Sequence, residues 1–412
     1  MTGPPLRTDS TGDTGRWVAL LRLAVAMFLA MTTWFSASAV VPQLRELWEL
    51  GPTGASMLTI AVQLGFVAGA LVSAIMGTAD VFAPRRVMLL GAIGAAVANG
   101  ALLVADSASV AIGLRFATGF FLAGVYPPGL KEMATWFRLR RGTALGVMVG
   151  ALTLGSALPH LVNGLGGLDW RLVIATTSLL TIAGGMVAAT MPAGPFPFPK
   201  APFDPRLTLA VVRNRRLRLA SYGYFGHMWE LYAMWTWIGT FLASSFAEAG
   251  VGSAARWGAF ATFAAIAAGS AGSVLGGVIA DHRTRTYAAG LSMVLSGIAA
   301  ATIGLLWSGP PALVVVAAMV WGFWVVADSA QFSTLAIEVT DPQYVGTAVT
   351  LQLAIGFVLT VGSIWLVPVL LEAWGFRTVF LVLVPGPLLG TIAMVRLARL
   401  QESQPATDGA TA

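Results

Sequence analysis

Residues 17–41 read WVALLRLAVAMFLAMTTWFSASAVV, a run of apolar positions whose one charge is Arg22. A helix that crosses a bilayer needs roughly 20 predominantly apolar residues. This run is long enough to cross. It is too long for a signal-peptide core and has no persuasive small-residue cleavage site, so it reads as an uncleaved first span. Eleven more apolar runs follow, at about 53–76, 87–105, 109–130, 142–165, 171–191, 217–246, 257–280, 286–307, 311–336, 345–371 and 376–396. Inside lipid every backbone polar group needs an internal partner, so each run is expected to be a helix. The ten-residue alternation of an outer-membrane barrel is absent. The expected fold class is an all-α membrane protein with twelve transmembrane helices.

Composition agrees. The chain has 412 residues, 57% hydrophobic and 10% charged, with a mean hydropathy of +0.79. Soluble proteins are about 25% charged, so the balance excludes a soluble enzyme, a disordered chain and a nucleic-acid binder. The net charge is only +6, and no cysteine is present. Disulfides, thiol catalysis and cysteine-held metals are therefore excluded. Neither G-x-S-x-G, H-E-x-x-H nor a phosphate-cradling loop occurs, so no enzyme activity and no ATPase is expected. His227 and Glu230 could supply two metal ligands but have no third, so neither metal nor cofactor is expected.

Charge placement sets the topology. With both termini in the cytoplasm, 19 basic residues fall on the inner side, among them Arg85, Arg86, Lys131, Arg138, Arg283, Arg285, Arg396 and Arg399. Only Arg45, Arg171, Arg256 and Arg377 fall outside, as the positive-inside rule requires. Lysine occurs only at Lys131 and Lys200. This arginine bias, with abundant Ala and Gly, points to a high-GC bacterial source and hence a cytoplasmic (inner) membrane.

The chain also repeats. Gly119-Phe120 matches Gly322-Phe323, Gly142-Thr143-Ala144 matches Gly346-Thr347-Ala348, Trp170-Arg171 matches Phe376-Arg377, and Asp80 matches Asp281. The separations run from 201 to 206 residues. Four matches in order indicate two six-helix halves. The expected organisation is a cytoplasmic tail over 1–16, a bundle over 17–191, a Pro-rich basic linker over 192–216, a second bundle over 217–396 and a tail over 397–412.

These features resemble the major facilitator superfamily over about residues 17–396. Its loop motif G-x-x-x-D-R-x-G-R-R is close to Gly277-Val278-Ile279-Ala280-Asp281-His282-Arg283-Thr284-Arg285. The N-terminal copy departs from it, with Met76 in the glycine position and Asp80 followed by Val81-Phe82-Ala83-Pro84-Arg85-Arg86. The resemblance implies a cytoplasmic gate built from Asp80, Arg85, Arg86, Gly277, Asp281, Arg283 and Arg285, in which an Asp caps a helix N-terminus or pairs with Arg. The fifth span lacks the Gly-Pro pair of the family's antiporters.

Sorting charges by depth leaves three inside spans: Arg115 in span 4, Glu230 in span 7 and Asp328 in span 10, with His227 beside them. An unpaired charge near the bilayer centre costs about 2.5–3.5 kcal/mol on insertion scales. None of the three recurs in the other half: Asp328 aligns with Val125 and Arg115 with Ala318. Scaffold needs should recur, so unrepeated charges suggest chemistry. Structural pairing is the competing reading for each. In the resembled family spans 1, 4, 7 and 10 line the central cavity. Helical spacing then brings Trp34, Tyr126, Met234, Trp237, Trp321, Trp324 and Gln331 to the cavity wall.

The function expected is secondary active transport of a small organic solute, coupled to protons through Arg115, Glu230, Asp328 and His227, by a monomer in the lipid bilayer. Three alternatives stand beside it. One is efflux of drugs or hydrophobic cations. Another is an inorganic-anion porter of nitrate type, which would need more cavity cations. The last is a membrane sensor that does not transport.

Overall fold

The computed structural model describes residues 13–76, 78, 82–137, 140–196, 212–341 and 344–402. The first and last residues, most of the 192–216 linker and Asp80 lie outside these. Among the described residues the structure is helical, with no strand. Eleven helices are long and apolar enough to cross a membrane: α1 (Gly15–Thr33), α2 (Thr53–Ile75), α3 (Pro84–Val104), α4 (Ala108–Ala134), α5 (Arg141–Leu165), α6 (Trp170–Ala189), α8 (Ala254–His282), α9 (Arg285–Leu306), α10 (Pro311–Glu338), α11 (Val345–Trp374) and α12 (Val379–Glu402). The twelfth, α7 (Arg215–Glu248), is the longest at 34 residues. Its apolarity is diluted by His227, Glu230, three tyrosines (Tyr222, Tyr224, Tyr232) and three tryptophans (Trp229, Trp235, Trp237).

The two halves are built alike. A Cβ on Gly119 would collide with the Val62 carbonyl oxygen of α2, and one on Gly322 with the Ala265 carbonyl oxygen of α8. The two glycines, and the two carbonyls they meet, are each 203 residues apart. Glycine at both lets α4 lie directly on α2 and α10 on α8. The halves meet along α5 and α8, where Ser273 Oγ donates to Gly146 O (2.9 Å) and Ser270 Oγ to Gly150 O (2.8 Å).

Three spans expected to be continuous are interrupted. α1 leaves helical geometry after Ala30, passes through short 3-10 turns at Met31–Thr33 and Ser38–Val40, and resumes at Val41–Leu47. α4 breaks between Leu122 and Tyr126. Pro127 and Pro128 there supply no N–H and crowd the preceding turn. α10 breaks at Asp328, between Ala327 and Ser329. The α4 and α10 breaks are again 203 residues apart, so the twofold repeat extends to the irregularities. Hydropathy averages over a whole span and does not register such breaks.

Candidate functional site

A central cavity of about 40 Å³ lies between the halves. Tyr126 and Ser329, the first residues after the α4 and α10 breaks, both line it, as do His227, Tyr224, Tyr232 and Trp235 of α7. α5 contributes Val149, Leu152 and Thr153, and α11 contributes Leu353 and Phe357. No Arg or Lys is among the described lining residues.

The chemistry of this wall is a short polar chain. His227 Nδ1 lies 2.8 Å from Asp328 Oδ1, and the two side chains are 3% and 2% exposed. His227 Nε2 lies 3.1 Å from Ser329 Oγ. The chain thus runs from a cavity-lining hydroxyl through an imidazole to a carboxylate behind the wall. Trp235 adds a buried indole N–H without a hydrogen-bond partner.

The other two deep charges stand elsewhere. Arg115 is fully buried and does not line the cavity. Its Nε donates to Leu58 O (3.3 Å). Nη1 donates to Thr33 O (2.9 Å), Ser36 Oγ (3.2 Å) and Asn99 Oδ1 (3.0 Å), and Nη2 to Trp34 O. Unwinding α1 frees carbonyls at Thr33 and Trp34 in a lipid-depth core where water cannot serve them. The guanidinium fork satisfies them and ties α1, α2, α3 and α4 together. Asn99 passes the network on to α6 through Ser178 Oγ (3.0 Å) and Thr177 Oγ1 (3.3 Å). Glu230 does the corresponding work in the second half. Its Oε1 accepts from Trp321 Nε1 (2.7 Å) and its Oε2 from Ser296 Oγ (2.9 Å), joining α7, α9 and α10.

Of the seven side chains expected on the wall, Tyr126 is there. Trp237 lines a second, outer cavity instead, with Nε1 donating to Ile364 O (3.0 Å). Trp34, Met234, Trp321, Trp324 and Gln331 are not part of the central wall. Trp34 sits above it, Trp321 holds Glu230, and Trp324 packs edge-on against Phe323 (5.0 Å). Gln331 is buried, its Oε1 3.5 Å from Arg285 Nη1. The cause is angular. Neighbouring helix residues are roughly 100° apart, so the stripe through Glu230 and Met234 points away from the stripe through Leu231 and Trp235. On α7 the buried charge Glu230 and the wall residues thus lie on different stripes. Two signals could have given the cavity face: the tyrosine-bearing stripe Tyr224–His227–Leu231–Trp235, and the repeat itself, which carries Tyr126 onto Ser329.

Both ends of the cavity are bounded. Toward the face that carries the α2–α3, α4–α5 and α8–α9 connections (the basic face), Asp281 at the end of α8 reaches the first turn of α5. Its Oδ1 accepts from Gly142 N (3.1 Å), and its Oδ2 accepts from Thr143 N (2.8 Å) and Thr143 Oγ1 (2.7 Å). Gly277 packs on the Gly142 carbonyl. Arg285 pairs with Glu338 (2.7 Å) within the second half, and Arg85 Nη1 donates to Met191 O (2.9 Å) within the first. Arg86 and Arg283 are exposed. Toward the opposite face an aromatic plug closes the cavity. Trp34 and Phe35 from the α1 break and Phe66 of α2 meet Tyr232 and Trp235 of α7 and Phe357 of α11, with ring centroids 4.8–6.1 Å apart.

Paired halves around a polar cavity bounded at both ends are the architecture of a membrane transporter. The sequence model of the Major Facilitator Superfamily matches residues 23–352, and the chain belongs to that family. It is similar to the "Multidrug efflux pump LfrA" of Mycolicibacterium smegmatis, 29% identical over 39% of this chain and 32% of that protein. It is also similar to the "Gentisate transporter" of Corynebacterium glutamicum, 29% identical over 44% of this chain and 40% of that protein. The chain thus spans about a third to two fifths of the length of the curated relatives it matches. Among solved structures, the proton:xylose symporter XylE aligns with a TM-score of 0.73 at 10% identity, over 93% of this chain and 96% of that one. A bacterial homologue of the lysosomal transporter Spinster, in an inward-facing conformation, aligns at 0.70 and 15%, over 96% and 100%. These two likenesses concern the fold.

Proposed function

We propose that the chain is a proton-coupled secondary transporter of a small organic solute, working by alternating access in the bacterial cytoplasmic membrane. It acts as a monomer with its basic face and both termini in the cytoplasm, and carries out no catalysis. The observation that carries this reading is the buried Asp328–His227 pair, linked through Ser329 to the wall of a cavity between two repeated halves. A carboxylate behind an imidazole can hold a proton in one arrangement of the halves and release it in the other. That couples proton movement to rocking of the halves around the site. Arg115 and Glu230 are assigned to holding each half together, since their hydrogen bonds go to neighbouring helices.

The absence of Arg and Lys from the described lining residues favours a second reading for the solute, a hydrophobic cation held by aromatic faces and acceptors. Proteoliposomes loaded with a pH indicator test the coupling. Solutes from a metabolite and cationic-dye panel that move protons in the parent chain should move none in Asp328→Asn. Parent-like proton movement in Asp328→Asn would remove this pair from the mechanism.

A further inference from the structure

Beyond the plug lies a second, larger cavity of about 560 Å³. Its walls come from the α1–α2 connection, the outer ends of α5 and α7, and the start of α8. Pro42, Glu46, Ala247 and Ala255 on its rim are exposed, so a solute arriving from this face meets the vestibule before the plug.

The polar groups here are arranged and not scattered. Gln43 and Glu46 lie three residues apart on the short helix Val41–Leu47, and His160 and Asn163 three apart on α5, so each pair shares a helix face. The two faces are joined by Gln43 Nε2, which donates to Asn163 Oδ1 (3.3 Å) and Leu168 O (3.0 Å). Asn163 Nδ2 is spent on Ala39 O (2.8 Å). Both N–H groups of the Gln43 amide and one of the two of Asn163 are thereby used inside the protein. Two buried atoms are left without a hydrogen-bond partner, Gln43 Oε1 and His160 Nε2, and His160 is only 6% exposed. In its Nδ1–H tautomer the imidazole offers Nε2 as an acceptor. The Glu46 carboxylate adds a negative charge at the rim. Buried polar atoms in native proteins are nearly always paired, and an orphaned set asks for a partner. No Arg or Lys is among the described lining residues; the rest of the wall is apolar at Val41, Ala243, Ala255, Ala259 and the Trp237 ring, and carries hydroxyls at Ser38, Thr236, Thr240, Ser244 and Thr262, of which Thr236 and Thr262 donate within their own helices.

We propose that this vestibule is a second ligand site, specific for a protonated amine on a compact apolar body, and occupied while the plug is closed. An ammonium supplies three N–H donors and a positive charge to the acceptors and to Glu46, and the apolar body covers the alanine wall. An anion would meet Glu46 without a compensating cation. A neutral alcohol offers one donor where several acceptors wait.

The inference goes beyond the transport reading and does not depend on it, because binding here needs neither a proton gradient nor movement of the halves. The chain has no cysteine, so Ala247→Cys places a single reactive thiol on the rim. Its modification by a maleimide is followed in the purified full-length protein. Phenethylamine, charged at pH 7, should slow the reaction, while 2-phenylethanol and 3-phenylpropionate should leave it unchanged. Adding Glu46→Gln, an exposed and foldable change, should raise the half-protecting amine concentration about tenfold, the size expected for losing one charge-assisted contact. Equal protection by all three compounds, protection by none, or protection insensitive to Glu46→Gln would each overturn the proposal. Proton-coupled flux without amine protection would leave the transport reading standing and the vestibular site refuted, and the reverse result would do the opposite.

Discussion

The Asp281 contact with α5 joins the two halves at the basic face, and its removal should bias the transport cycle measurably. One carboxylate accepts three hydrogen bonds there, two from the backbone N–H groups of Gly142 and Thr143 and one from the Thr143 hydroxyl. Hydrogen bonds to a charged group contribute about 1.5–3 kcal/mol each when shielded, and a negative charge at a helix N-terminus adds about 0.3–1 kcal/mol. Asp281 is exposed, so water replaces much of each contact, as at surface ion pairs. A net value of about 1.4 kcal/mol for the whole latch, tenfold in population, is the reasonable scale. Asp281→Asn preserves the shape but loses the charge and one acceptor oxygen. The population open at the basic face should therefore rise about tenfold. With the cysteine-free chain as background, Ser333→Cys places a thiol on the central wall. In vesicles sealed with the basic face outward, an impermeant maleimide should label it about tenfold faster when Asp281→Asn is added. An unchanged rate, or an equal gain for reagent applied from the opposite face, would show that the latch does not hold this face closed.

Two further perturbations probe the elements around the cavity. Arg115→Lys keeps the charge but offers three N–H donors to five acceptors. At least two of these five hydrogen bonds are lost, at about 1.5–3 kcal/mol each for bonds to a charged group, so thermal unfolding in detergent should begin several degrees lower. An unchanged midpoint would refute the stapling role. Tyr232→Ala removes the ring that touches Trp34, Phe35, Trp235 and Phe357 at once. At about 0.5–1.5 kcal/mol per aromatic pair, the plug should loosen by on the order of 2 kcal/mol or more. A thiol at Ser329→Cys should then react faster with reagent from the opposite face only, and an unaltered rate would mean the plug is not the barrier.

Much of this architecture was legible in the sequence, because its causes are local or periodic. Run length reveals a helix, and a repeat of glycines at a constant offset reveals two halves, since a close backbone crossing such as Gly119 on Val62 admits no other residue. The interruptions were less legible. The α4 break carries a visible signal in Pro127-Pro128, but the α1 break depends on Arg115, which comes from a different helix to satisfy the carbonyls that unwinding exposes. Asp80 and most of the linker, by contrast, fall outside the described residues.

The candidate site shows the limit most clearly. Depth alone selected Arg115, Glu230 and Asp328 as a set, on the argument that a charge without a counterpart in the other half does chemistry. Geometry separates them. Arg115 and Glu230 are not sequence equivalents, yet each sits in the core of its own half and gathers three or more helices, one as a donor and the other as an acceptor. The need for a polar staple recurs in both halves, while the residue that meets it does not, so a missing sequence match was no evidence against scaffolding. What breaks the symmetry in earnest lies at the paired helix breaks. Where α4 has Val125 and Tyr126, α10 has Asp328 and Ser329, and His227 from α7 joins the last two. The repeat supplies two equivalent openings in the wall. Only one holds a carboxylate against an imidazole, and the proposed proton coupling rests on that asymmetry between the halves.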